Sequence, residues 1–220
     1  MTNETQDLQI PLKEKLKSIP EIFGIRVNEE PEYRVISKDG DFEVRQYSRQ
    51  VTAKVSMKGL PFDDFREAAF KKLAYYIFKG NKANESIPMT SPVIEQHGSG
   101  ENIPNQIAMK SPLFQQETEE GGWTMSFILP KEFTLKDAPK PDDSDITLEE
   151  VAPYEVAVHS YSGNNSLEKI KTHERHLADW LKSQPHLKMQ GKFMVAQYDA
   201  PFVIPLFKRN EIQVRLESLH

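Results

Sequence analysis

Cysteine is absent from the whole chain of 220 residues. Disulfides, zinc knuckles, iron–sulfur clusters, thiolate haem ligation and cysteine nucleophiles are thereby excluded, and a reducing compartment suits the chain. Long apolar runs are missing too. Without 18 consecutive apolar residues no membrane span is expected. The opening "MTNETQDLQIPLKEKLKSIP" has neither a basic start nor an unbroken apolar stretch, so no secretory signal is expected either, and the sequons at Asn3, Asn84 and Asn164 carry little weight. Positive charge is in short supply. With 28 Lys and Arg against 33 Asp and Glu, the formal net charge of −5 argues against nucleic acid as the main partner. These absences describe a cytoplasmic, acidic, soluble protein whose oligomeric state stays open.

What is present is enough to bury a core. Residues 1–32 read as an N-terminal arm, broken by Pro20 and Gly24, and 33–220 as one domain. Inside "FEVRQYSRQVTAKVSM", after a turn at "KDGD", Val51, Ala53, Val55 and Met57 alternate with Thr52, Lys54 and Ser56, the period of a strand. "LPFDDFREAAFKKLAYYIFKGN" carries Phe62, Phe65, Ala69, Leu73, Tyr76 and Ile77 at helical spacing, with Pro61 suited to the start and Gly80-Asn81 to the stop. "WTMSFILP" reads as a strand, and "KDAPKPDDSD" (136–145) has the composition of a linker. The order then restarts. "ITLEEVAPYEVAVHSYSG" (146–163) reads as extended, "SLEKIKTHERHLADWLKS" as a helix capped by Ser166, and "KFMVAQYDAP" and "NEIQVRLE" as strands. The expectation is an α+β fold: a distorted antiparallel β-barrel of two pseudo-symmetric repeats, about 33–135 and 146–217, flanked by two helices with a cleft between them.

Two features stand out from this pattern. "IPMTSPVIEQ" (87–96) is nearly repeated as "IAMKSPLFQQ" (107–116), which predicts a hairpin in which the copy pairs with its parent. The second is the histidines. His159 falls opposite Val156 and Val158, on a face expected to meet solvent. His173 lies on the apolar stripe of the second helix with Ile170, Leu177 and Trp180, and His176 sits at its edge. A stripe histidine is ordinarily a core residue satisfied by one hydrogen bond; its functional reading is an axial haem ligand or a pH-sensitive group. The spacing of His173 and His176 without a further partner is a weak zinc signal.

The stretches "FEVRQYSRQVTAKV", "FKKLAYYIFKGN", "IPMTSPV", "WTMSFILP", "YEVAVHSYSG" and "YDAPFVIPLFKRNEIQV", in this order, resemble the SOUL/haem-binding-protein family in its bacterial form. The resemblance implies reversible binding of haem or another tetrapyrrole, as an intracellular carrier or buffer, and no catalysis. It assigns the ligand surface to Arg66, Ala69, Phe70 and Leu73 on the first helix and to Phe202, Val203 and Ile204 in the loop before the last strand. Some relatives place a lysine in that loop, where this chain is apolar; Lys208 is the expected substitute. The family's proposed axial histidine has no counterpart among residues 33–58, which leaves His173 as the candidate for iron. The alternative is a small-molecule hydrolase or tetrapyrrole-modifying enzyme working in the inter-helix cleft.

Overall fold

The structure, a computed structural model, describes residues 29–97, 122–199 and 203–217. Its strands are β1 (Tyr33–Asp39), β2 (Phe42–Tyr47), β3 (Gln50–Met57), β4 (Val93–His97), β5 (Trp123–Ile128), β6 (Ile146–Val151), β7 (Tyr154–Ser162), β8 (Met189–Gln197) and β9 (Arg209–Leu216). Two helices, α1 (Phe62–Phe78) and α2 (Leu167–Lys182), interrupt them. All nine strands join one antiparallel sheet in the order β1-β2-β7-β9-β8-β4-β5-β3-β6. Its ladder is left open between β1 and β6, giving the expected distorted barrel. No helix among the described residues is long and apolar enough to cross a membrane.

The strand order is a palindrome about the β8–β4 seam once β1 is set aside. β2 corresponds to β6, β7 to β3, β9 to β5 and β8 to β4. β2 and β6 each pair with a strand from the other half of the chain, β2 with β7 and β6 with β3. One row of facing residues runs across the sheet: Asp39, Phe42, His159, Ile212, Val195, Glu95, Met125, Val55, Ile146. Facing residues of a ladder point to the same side. Since Val55, Met125 and Ile146 pack with Phe65, Ala69 and Leu73 of α1, and Val195 and Ile212 with Ile170 and Leu177 of α2, both helices lie on this face. α1 rests on β3 and β5, α2 chiefly on β7 and β9, and β4 runs beneath the gap between them.

Local chemistry explains where the helices begin and end. Ser166 caps α2, its hydroxyl accepting from the backbone N–H of Lys169 at 3.2 Å. α1 starts after Pro61 without a side-chain cap and relies on Asp63 and Asp64 in its first turn, where the helix dipole favours negative charge. At its end the N–H of Gly80 bonds the Tyr75 carbonyl at 2.7 Å, and a Cβ on Gly80 would lie 2.4 Å from the Tyr75 ring. Glycine is needed there for room.

Both edges of β4 are occupied, by β5 and β8; the copy at 107–116, and with it the expected hairpin, lies outside the described residues. Residues 136–145 connect the two halves without helix or strand, in keeping with their composition, but they are held in place. The Tyr76 hydroxyl donates to the Pro139 carbonyl at 2.8 Å, Lys72 binds Asp143 and Asp145, and Asp142 N–H reaches the Gly80 carbonyl, strapping the segment across the end of α1.

The sheet's other face carries a closed polar cluster beside the apolar Tyr47, Val156 and Val158. Glu211, wholly buried, accepts from Arg45 at 3.0 Å, Arg209 at 3.0 Å, Tyr198 at 2.8 Å and Gln213 at 2.8 Å. Two guanidinium groups and two neutral donors thus compensate one buried carboxylate, which is the condition under which burying it is tolerable.

Candidate functional site

Glu95 and His159 interrupt the otherwise apolar interior of the cross-sheet row, and each is met by a polar side chain from the helix above. Arg66 of α1 donates through Nε to Glu95 Oε1 at 3.0 Å and through Nη2 to Gln197 Oε1 at 2.8 Å. Glu95 is 1% exposed, and burial raises its pKa against the opposing pull of Arg66. Tyr161, on β7, feels the charges of both Glu95 and Arg66; the groove between the helices has Arg66 on one side, with the buried Glu95 and with Gln197 beneath Arg66.

The loop before β9 packs beside β7. Val203 is buried, whereas Ile204, Leu206 and Phe207 are exposed, Leu206 at 75%. A short 3₁₀ turn, Pro205–Phe207, holds them outward as an apolar ridge. Lys208 follows directly. Its Nζ donates to Asn164 Oδ1 at 2.8 Å, and burial, then the positive charge of Arg66, lower its pKa. The charges of Arg66 and Lys208 thus act on one another, and Lys208 adjoins the apolar ridge in the chain; cations beside apolar surface suit an anionic ligand with an apolar body.

Of the residues assigned to the ligand from the sequence, Arg66 is turned to Glu95 and Gln197, Val203 is buried and Ile204 is exposed. Ala69 and Leu73 are fully buried between α1 and the sheet, and Phe70 packs edge-on against Phe127 at 5.5 Å. Ala69 and Leu73 anchor the helix, whereas Phe70 is only partly buried. Phe202 lies outside the described residues. Glu95 was not singled out from the sequence; its signal is a carboxylate inside the short strand "VIEQH", at a position that a core strand would fill with an apolar residue.

On the far side of Tyr161 lies the second locus. His159 does occupy the face opposite Val156 and Val158, but that face is covered by α2, leaving His159 7% exposed rather than in solvent. Its Nε2 shares a hydrogen bond of 3.0 Å with Nδ1 of His173. Tyr161 stacks on His173 at 3.7 Å and 12°, and Phe42 stacks on His159 at 4.6 Å. Trp180 continues the stack on Phe42 at 5.1 Å and donates to Asp39 at 2.9 Å. Burial, followed by its neighbours His159, His176 and Lys169, pushes the pKa of His173 down to about 4. Burial and His176 lower that of His159, against the opposite effect of Asp41. A cleft of about 500 Å³ opens beside these rings, lined also by Asp41, Tyr161, His176 and Arg209. His176 supplies a third imidazole, and one nitrogen from each of the three lies within 4.8 Å of the others. The helical pair was visible in the sequence; its partner on β7 was not, since nothing local links residues 159 and 173.

Comparison with known proteins follows the fold. The sequence model of the family described as "SOUL heme-binding protein" matches residues 28–215. A curated relative named "Heme-binding protein 2", from Mus musculus, is 28% identical over 173 residues, which is 79% of this chain and 77% of the relative. Its namesake from Homo sapiens is also 28% identical over 173 residues, covering 78% and 75%. Among solved structures, the C-terminal domain of EcmrR superposes with a TM-score of 0.57 at 9% identity, over 85% of this chain and all but 1% of that one (99% covered). A hydrolase from Listeria innocua gives 0.52 at 10% identity, over 83% and 94%. At such identities these two speak for the fold alone.

Proposed function

The chain belongs to the SOUL heme-binding protein family, and from that we propose that it binds haem, or a closely related tetrapyrrole, reversibly, as a carrier or buffer inside the cell. The family match over residues 28–215 carries the proposal, and the groove between α1 and α2 supplies a site whose chemistry agrees with it. A porphyrin is a flat apolar disc with two carboxylate tails. Ile204, Leu206 and Phe207 offer an apolar ledge, and Arg66 and Lys208 offer two cations for the tails. Arg66 would exchange part of its hold on Glu95 for a propionate, so the ligand binds against a competing internal carboxylate. Such competition limits affinity and suits release. Binding stands ahead of catalysis because Glu95, the buried carboxylate of the groove, is already ion-paired to Arg66.

The test is a haemin titration of the purified chain followed in the Soret region, with Arg66→Glu and Leu206→Asp alongside. One saturable equivalent is expected, weakened in both variants, since each removes one part of the recognition. Absence of saturable binding with haemin and with metal-free porphyrin would overturn the proposal.

A further inference from the structure

Three imidazoles meet on one side of α2, and the haem-binding reading has no use for all of them. We propose that His159, His173 and His176 form a site for a divalent late transition-metal cation, Zn²⁺ in the first instance. The site is separate from the groove at Arg66 and goes beyond the function proposed above.

Geometry comes first. One nitrogen from each ring lies within 4.8 Å of the others, and His159 Nε2 and His173 Nδ1 are 3.0 Å apart. Ligand nitrogens around a tetrahedral Zn²⁺ with bonds near 2.0–2.1 Å sit about 3.3–3.4 Å apart, so the two inner rings need to part by only a few tenths of an ångström. His176, exposed at the helix surface, has the freedom to swing into the third position. Packing already orients the inner two, with Tyr161 against His173 and Phe42 against His159. A fourth position faces the cleft, where water or Asp41 is at hand. Asp41 faces the cluster from the cleft and Asp179 acts on His176 along α2, with Glu174 acting on the stacked Tyr161; Arg209 and Lys169 are cations beside it, and Lys169 is directed to the Ser162 carbonyl at 2.6 Å.

Ligand type comes next. Imidazole nitrogen without thiolate suits Zn²⁺ or Cu²⁺ among the common cations, and three histidines with an open position make a coordination set that zinc accepts. Porphyrin iron does not fit the same set. Its four equatorial positions are filled by the ring, so one face of the iron takes a single nitrogen, and three imidazoles converging from one side would leave two without a role.

The pseudo-symmetry of the sheet supplies an internal comparison. Counting outward from the β8–β4 seam, the position of His159 on β7 corresponds to Val55 on β3. Val55 is ordinary core beneath α1. The fold therefore accepts an apolar residue at this point of the row, and an imidazole there is a feature of the second half alone, where α2 brings two more.

Calorimetric titration of the metal-free full chain with Zn²⁺ tests this. One equivalent is expected to bind saturably. His176→Gln, at an exposed position where folding is not at stake, should weaken it about tenfold or more. His186→Gln, an exposed histidine just beyond α2, should leave it unchanged. No one-equivalent binding, indifference to His176→Gln, or equal loss in His186→Gln would each overturn the site. A haemin titration of His173→Gln separates the two readings. An unchanged Soret response with impaired zinc binding supports the cation site, whereas an altered Soret response with intact zinc binding would return His173 to iron. The zinc result stands on its own whether or not the wild-type chain takes up haemin.

Discussion

His173 shows how a single side chain can set the acid tolerance of the metal-free protein. In an unfolded chain an imidazole takes up its proton near pH 6.5, but the buried ring here, facing His159, His176 and Lys169, resists protonation until about pH 4. Between those values the unfolded chain binds a proton that the folded chain refuses, so stability falls as the pH is lowered through this window and levels off below it. Thermal melts in a chelating buffer, followed by circular dichroism from pH 7.5 to 4, should show this decline, and His173→Gln should flatten part of it. Identical slopes for the two proteins would show that the imidazole is not shielded as described. Glu211 illustrates the opposite case at the same scale. Its position between Ile212 and Asn210 places it on the face away from the helices, where alternation in "NEIQVRLE" suggests a wet side, yet Arg45, Arg209, Tyr198 and Gln213 close over it. Periodicity identifies the two faces of a strand; it does not say whether the polar one is open to water.

At the scale of elements, what could be foreseen is what depends on neighbours in sequence. The stripe Phe65, Ala69, Leu73, Ile77 is buried as its spacing requires, the turn at Gly40 adopts a positive φ, and Ser166 caps α2. Ser166→Ala removes a bond to an otherwise unsatisfied amide and should cost about 1 kcal/mol in urea unfolding. A midpoint equal to the wild type would mean that water replaces the hydroxyl without loss. The segment 136–145 behaves differently because its proline-rich composition signals only that it is not helix or strand. Its role as a strap comes from contacts with Lys72, Tyr76 and Gly80, more than fifty residues away in sequence. In the same way nothing within "IPMTSPVIEQ" reveals that its last residues lie between β5 and β8.

Across the whole molecule the exchange of β2 and β6 between the halves makes each half incomplete. Residues 1–140 alone would leave β3 without β6 and β2 without β7, and expose β4 where β8 belongs. Unpaired strand edges of that kind promote aggregation. Expressed separately, 1–140 and 141–220 should each fail to give a soluble folded product, and co-expression should recover a complex of the two; a folded 1–140 on its own would refute the interdependence. The same architecture decides the chemistry. The amino-acid order alone determined most of the elements (though not β1), the apolar stripe of each helix and the family, because these rest on residues within one or two turns of each other or on matched stretches of sequence. It also determined that no thiolate could take part. Tertiary structure alone decided that Arg66 meets Glu95, that the charges of Lys208 and Arg66 act on each other, and that His159 joins His173 and His176. Each of those meetings depends on strand register and on where a helix lands on the sheet, and both are set by the packing of the entire core rather than by any segment of the chain.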